Sequence, residues 1–189
     1  MRLFVSINLP DDLSQSISEI QEAIEPAGGV RLTNPTQCHV TLKFLGEIDP
    51  AEVSRVVDGL SEAVETADIA PFEATVSGMG VFPELSYIRV IWLGIDEGAT
   101  QVTTLAAAVE RALVDRGFNP ADHSFTPHIT IARMDHAGGK ELVQRVVNET
   151  HPTLGTMSVD EITLTESILT ADGPQYETVE TIPLSKEDA

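Results

Sequence analysis

His39-Val40-Thr41-Leu42-Lys43-Phe44-Leu45 and, 89 residues later, His128-Ile129-Thr130-Ile131-Ala132-Arg133 are two runs of one kind. In each, polar and apolar residues alternate with a period of two, the pattern of a half-buried strand. The signals around them also match. Ahead of the first lie a short apolar run, Arg2 to Asn8, and a helix with Asp11 as N-cap, core residues Leu13, Ile17, Ile20 and Ile24, and a break at Pro26 and Gly28-Gly29. Ahead of the second lie a strand from Ile88 to Ile95 and a helix marked by Val102, Leu105, Val109 and Leu113 that stops at Gly117. Behind the first, Asp49, Pro50 and Glu52 open a helix carrying Val53, Val56, Val57, Leu60 and Val64, and a strand follows from Phe72 to Val81, before Pro83. Behind the second come a helix from Lys140 to Val147 and strands near Met157 to Glu166 and Tyr176 to Leu184. The expected fold is α+β and internally duplicated. It has two lobes related by a pseudo-twofold axis, each with an antiparallel-rich sheet and two helices, and an active-site cleft between the sheets. The lobes form one domain over residues 1–189.

On a strand, residues two apart share a face. His39 therefore projects with Thr41 and His128 with Thr130, while Val40, Leu42, Ile129 and Ile131 turn to the core. If the lobes face each other, the cleft receives two imidazoles and two hydroxyls. With ordinary pKa values of about 6.5, one imidazole can be neutral and the other protonated at neutral pH. Such a pair can act as base and acid on a phosphodiester while the hydroxyls donate to nonbridging oxygens. One isolated His-x-Thr is more simply a solvent-facing strand end; the duplicated context reverses that weighing. Arg133 reads either as a planar fork for phosphate or as an exposed strand-end arginine. Lys43 shares the His39 face by parity and is expected at the cleft rim, with plain surface lysine as the alternative.

With 189 residues and 20.4 kDa, the chain has room for a sizeable core. Thirty acids against 11 Lys and Arg give a formal net charge of -19, which argues against a general nucleic-acid coat protein but leaves small or terminal phosphates open as substrates. The excess reads as a solvated acidic shell or as halophilic adaptation, in which folding or activity rises with molar KCl. No apolar stretch approaches the roughly 18–20 residues of a membrane span. The N-terminal apolar run is too short for a signal peptide, and the lone Cys38 cannot form an internal disulfide. A cytoplasmic protein without membrane contact is expected.

Other features carry less. Cys38 adjoins His39 but points to the opposite face, so a small buried residue is expected rather than a nucleophile. His123, His128 and His136 do not match a zinc-ligand pattern, and no metal is expected. Gly138-Gly139-Lys140 lacks the full phosphate-loop pattern and is expected to open the last helix.

Taken together, these blocks resemble the RNA 2',3'-cyclic phosphodiesterase family (ThpR or LigT, also called 2'-5' RNA ligase) of the two-histidine phosphoesterases. The resemblance runs through Arg2-Leu3-Phe4-Val5 with Leu9-Pro10, the His39 to Gly46 block, Gly80-Val81-Phe82-Pro83, Trp92-Leu93-Gly94, Gly117-Phe118, Pro127 to Arg133 and Gly173-Pro174-Gln175-Tyr176. Where the family often has Trp-Val before the first motif, this chain has Leu32-Thr33. The resemblance implies hydrolysis of a terminal 2',3'-cyclic phosphate on RNA to a 2'-phosphate, without metal or cofactor, with reversible 2'-5' ligation in related proteins. It makes His39 the proton donor and His128 the acceptor, with Thr41 and Thr130 on the phosphate oxygens. Against the negative surface, if only the terminus enters the cleft, a few local cations, Lys43, Arg133 and Arg89, matter more than net charge. The implied partner is an RNA terminus, and the protein is expected to act as a monomer. A small cyclic nucleotide or 2'-5' oligonucleotide as substrate, or a non-catalytic RNA-end binding module, are the alternatives.

Overall fold

The apolar opening run forms a strand, β1 (Arg2–Asn8), whose five central residues are buried. In the computed structural model, which describes residues 1–185, β1 lies inside a nine-stranded sheet. Residues 186–189 of the expected domain lie outside the described residues. The chain continues through α1 (Asp12–Ile24), β2 (Val30–Leu32), β3 (His39–Glu47), α2 (Val53–Ala67), β4 (Phe72–Glu84), β5 (Tyr87–Ile95) and α3 (Ala99–Asp115). It ends with β6 (His128–Met134), α4 (Lys140–Glu149), β7 (Thr153–Val159), β8 (Glu161–Thr170) and β9 (Gly173–Pro183).

The sheet order is β7-β4-β5-β6-β3-β1-β8-β9, with β2 added on β6, and every pairing is antiparallel. The two motif strands, β3 and β6, are neighbours at its centre, joined through Val40 and Ile129. This corrects the expected pair of sheets, one to each lobe. The structure is one curved sheet, with β7-β4-β5-β6 on one side of the junction and β3-β1-β8-β9 on the other. Nor do the sequence halves stay apart. β2 and β4 of the first half join the second-half strands β6, β5 and β7, while α1 packs on α4 and α2 on α3. Consecutive strands β7 and β8 sit on opposite sides of the junction, because the chain crosses over at Asp160. The expected single strand from Met157 to Glu166 is therefore two, and no Gly or Pro marks the break.

Helix faces follow the apolar spacing. Leu13, Ile17 and Ile24 of α1, Val56, Leu60 and Val64 of α2, and Val102, Leu105, Val109 and Leu113 of α3 are buried, and α4 buries Val143. Two caps differ from expectation. The Asp11 side chain makes no cap hydrogen bond. Asp49 caps a short 3-10 turn over Pro50–Glu52 by accepting from Ala51 N, so α2 proper starts only at Val53. Glu52 pairs with Arg55 instead of closing a capping box.

Bulges decide which side chains reach the functional face. Along β1, Val5 pairs with Lys43 and Ser6 with Thr41, which leaves Leu42 as an extra residue in β3. Along β5, Ile91 pairs with Ala132 and Trp92 with Thr130, which leaves Ile131 extra in β6. Both bulges fall at the fourth motif position. Each sends two successive residues to the core, Leu42 with Lys43 and Ile131 with Ala132, and returns the next, Phe44 or Arg133, to the outside.

Candidate active site

Val40 and Ile129 are fully buried, so alternation turns His39, Thr41, His128 and Thr130 to the opposite face of the sheet. His39 and Thr41 flank Val40 on β3, and His128 and Thr130 flank Ile129 on β6, on either side of the one pair that joins the two strands. The two imidazoles and two hydroxyls thus flank the Val40–Ile129 pair on one face, and His39 feels the charge of His128.

The rings are held alike. His39 Nδ1 lies 2.9 Å from the Gln37 carbonyl and His128 Nδ1 lies 2.7 Å from the Thr126 carbonyl. A carbonyl can only accept, so Nδ1 carries the proton in both rings and Nε2 is the nitrogen free to exchange one. Among the described residues neither Nε2 has a hydrogen-bond partner. Each ring also leans on two aromatic side chains. Phe4 stacks on His39 with centroids 4.8 Å apart, and Tyr176 meets the same ring edge-on at 5.2 Å. Phe82 meets His128 edge-on at 4.9 Å, and Trp92 lies 6.2 Å away. Trp92 in turn needs Gly80, because a Cβ there would strike its six-membered ring. Trp92 Nε1 is buried without a partner among the described residues.

These surroundings change the charge expected of the pair. Burial pushes His39 below its ordinary 6.5, outweighing the Gln37 hydrogen bond that favours the cation, and the charge of His128 adds to the fall. Burial likewise lowers His128 against the pull of the Thr126 carbonyl, with Arg133 and His123 adding repulsion. Neither ring keeps an unperturbed value. In the free protein both imidazoles are biased towards the neutral form.

Arg133 is exposed, forms no ion pair among the described residues, and projects from the His128 face because of the Ile131 bulge. Its charge is felt by His128 and, from β9, by Tyr176, whose phenol burial nonetheless pushes up. Lys43 is elsewhere. The Leu42 bulge turns it to the core, where it is 4% exposed and donates to Glu110 of α3 and to the Asn119 carbonyl at 2.9 Å. The expected place at the cleft rim is therefore wrong, and the next residue, Phe44, is the one turned outward, 53% exposed under the Arg2 guanidinium. Burial raises the Glu110 carboxyl, but the Lys43 hydrogen bond, the Ala121 amide and the Lys43 charge prevail and hold it below the usual range.

Sequence reasoning assigned no role to Phe4, Phe82, Trp92 or Tyr176, nor to Gln21 and Glu110. Gln21 is buried on α1, where a polar residue interrupts an apolar stripe, and its amide donates to the Thr33 and Ile131 carbonyls at 2.7 and 2.9 Å. Beside His39 a hollow of about 250 Å³ is lined by Asn8, Thr36, Thr165, Tyr176 and Thr178. A Ser6, Asn8, Thr163 and Thr165 hydrogen-bond network lies along β1 and β8 next to it. Cys38 is buried as expected, and burial pushes its thiol up to about 12, far from a reactive thiolate. Among the described residues no three His, Cys, Asp or Glu side chains converge as a metal site, and no helix is long and apolar enough to cross a membrane.

Comparison with known proteins agrees with this geometry. Residues 9–168 match the model of the 2'-5' RNA ligase superfamily. An RNA 2',3'-cyclic phosphodiesterase of Aquifex aeolicus is 35% identical over 172 residues, covering 88% of this chain and 90% of the relative. One of Methanothermobacter thermautotrophicus is 30% identical over 186 residues, 97% of this chain and 99% of its own. The crystal structure of TT0787 from Thermus thermophilus superimposes with a TM-score of 0.81 at 28% identity, covering 99% of this chain and all of the other. The paired motifs, their order and these full-length matches agree: the chain belongs to the RNA 2',3'-cyclic phosphodiesterase family of the 2'-5' RNA ligase superfamily.

Proposed function

We propose that this protein hydrolyses a terminal 2',3'-cyclic phosphate on RNA to a 2'-phosphomonoester, with His39 and His128 as the acid–base pair. The observation that carries the reading is the identical seating of the two rings: each donates Nδ1–H to the carbonyl two residues before it, leaving both Nε2 atoms for one phosphate. His128 Nε2 takes a proton from water as the water oxygen bonds to phosphorus, and His39 Nε2 gives a proton to the 3'-oxygen as the P–O3' bond breaks. The phosphate stays on O2', and proton exchange with solvent resets both rings. Thr41 and Thr130 hydroxyls and the Arg133 guanidinium donate to the nonbridging oxygens, where charge grows in the transition state. An incoming phosphate also offsets the burial that disfavours the His39 cation, so binding itself charges the acid.

The matching bulges, ring anchors and aromatic pairs support reading the two wings of the sheet as copies about a pseudo-twofold axis between β3 and β6. Buried, unreactive Cys38 fits work in a reducing cytoplasm. The family of the relatives favours an RNA end over a small cyclic nucleotide as substrate. The test is turnover of a nucleoside 2',3'-cyclic phosphate and of RNA bearing that end, with analysis of the product. His39→Ala and His128→Ala should each lower the rate at least about 100-fold with the fold intact. Near-wild-type turnover in either variant, or a 3'-phosphate product, rejects the mechanism.

A further inference from the structure

We infer that Arg89 and Lys140 bind backbone phosphates of the nucleotides preceding the reacting end, so that the protein grips an RNA strand as well as its terminus. The inference rests on the RNA-end reading above and extends it to residues outside the acid–base centre. Arg31 of β2 is paired in register with Arg133 of β6, and Arg133 with Val90 of β5. A bulge at Arg89, between the Phe82–Val90 and Pro83–Ile88 pairs, sets a third arginine next to that row. Three neighbouring strands thus bring three arginines to the end of β6 away from His128. At that end a hollow of about 200 Å³ is lined by Arg89, Lys140, Tyr87, Ser86, Asp135 and His136. At about 3.3 Å per residue, His136 lies roughly 20 Å along the chain from Thr130, within reach of the next nucleotides of an extended strand.

The pairing of charges in this corner favours an external anion. Acids outnumber Lys and Arg nearly three to one in the chain, yet neither Arg89 nor Lys140 has a carboxylate partner among the described residues. Arg89 donates to the Tyr87 hydroxyl at 3.3 Å and Lys140 to the Ser86 carbonyl at 3.3 Å, both uncharged acceptors. The nearest acids already have partners, Asp135 within the hollow itself. Asp135 takes two hydrogen bonds from Arg31, which hold its carboxyl below the usual range, and Glu84 accepts from the Ser86 hydroxyl. A local cation cluster also answers how a protein of net charge -19 can hold RNA: a short, directional contact is screened less than the long-range field that opposes it.

The test compares cytidine 2',3'-cyclic phosphate with an RNA octamer ending in the same group, across a KCl series, for wild type and for Arg89→Gln/Lys140→Gln. The double variant should lose about tenfold in kcat/KM on the octamer and stay within about twofold on the mononucleotide. The log–log salt slope for the octamer should fall by about 1.4, about 0.7 for each single-strand phosphate contact removed. Arg89→Lys/Lys140→Arg should restore most of the octamer rate. Equal losses on both substrates, an unchanged octamer rate, or an unchanged salt slope would overturn the inference. If wild type cleaves both substrates without preference for length, this site alone falls; if it cleaves neither, the RNA-end reading falls first.

Discussion

Glu110→Ala is the most informative single change outside the reacting groups, because it strands a buried charge. The Lys43 side chain is 2% exposed and Glu110 is its ion-pair partner. The Asn119 carbonyl remains after the substitution but carries no charge. Removing one partner of a buried pair costs about 3–5 kcal/mol. Glu110 is 33% exposed, so water can enter its place, and the lower end, about 3 kcal/mol, applies. For a domain of this size that is a fall of roughly 6–12 °C in Tm. The Lys43→Met/Glu110→Leu double variant removes both charges and should regain most of the loss. Because Glu110 titrates below its ordinary range when folded, its contribution is full above an unfolded carboxyl pKa of about 4.3 and fades as pH falls through the lower folded value. Wild type and Glu110→Ala should therefore converge in acid. Thermal melts from pH 3 to 8 give the answer; a Tm within about 2 °C of wild type at pH 7 would show that Lys43 is not held as described.

Gln21→Leu should cost about 1–3 kcal/mol, because it leaves the Thr33 and Ile131 carbonyls without their donor, and urea denaturation reads the change. It should lower kcat more than it raises KM, since the Ile131 bulge aims Thr130 and Arg133. The depressed pKa values of both histidines set the pH dependence: kcat/KM, which reports the free enzyme, should peak below pH of about 6.5, and kcat, which reports the phosphate complex, at higher pH. A kcat/KM that climbs to a plateau above pH of about 8 contradicts the assigned protonation states. The same depression sets a stability term. The unfolded chain binds these protons first, so stability is full above an unfolded pKa of about 6.5 and falls with pH below it. His39→Gln/His128→Gln should therefore narrow the gap between melting points at pH 5 and pH 7.

Periodicity was enough to place both motif strands, all four helices and the face shared by His39, Thr41, His128 and Thr130, because alternation is a local property of the chain. Lys43 and Arg133 show where that locality ends. Parity counted from His39 puts Lys43 on the functional face, and parity counted from His128 puts Arg133 in the core; one inserted residue, Leu42 or Ile131, reverses both. Neither bulge has a Gly or Pro to announce it. β2 was hidden because three residues are too few to show a period, and the β7–β8 crossover because Asp160 is its only break. The depressed histidine pKa values depend on rings from β1, β4, β5 and β9, contacts that no window of sequence contains.

Gln21 and Glu110 are 89 residues apart, the spacing of His39 and His128, and they act on opposite strands. Gln21, on the helix before β3, fastens the bulge of β6; Glu110, on the helix before β6, fastens Lys43 just past the bulge of β3. A helix ahead of each motif strand thus anchors the other motif strand. A chain of two independent lobes would leave the gap between the imidazoles to a hinge, and a shift of 1 Å in such a gap can cost a hundredfold in rate. Here β3 and β6 share a sheet, and each is also tied to the helix that leads into its neighbour. Parting β3 from β6 would also strain the buried contacts of Gln21 with β6 and of Lys43 with α3, so the interactions that join the sheet also hold the two motif strands side by side.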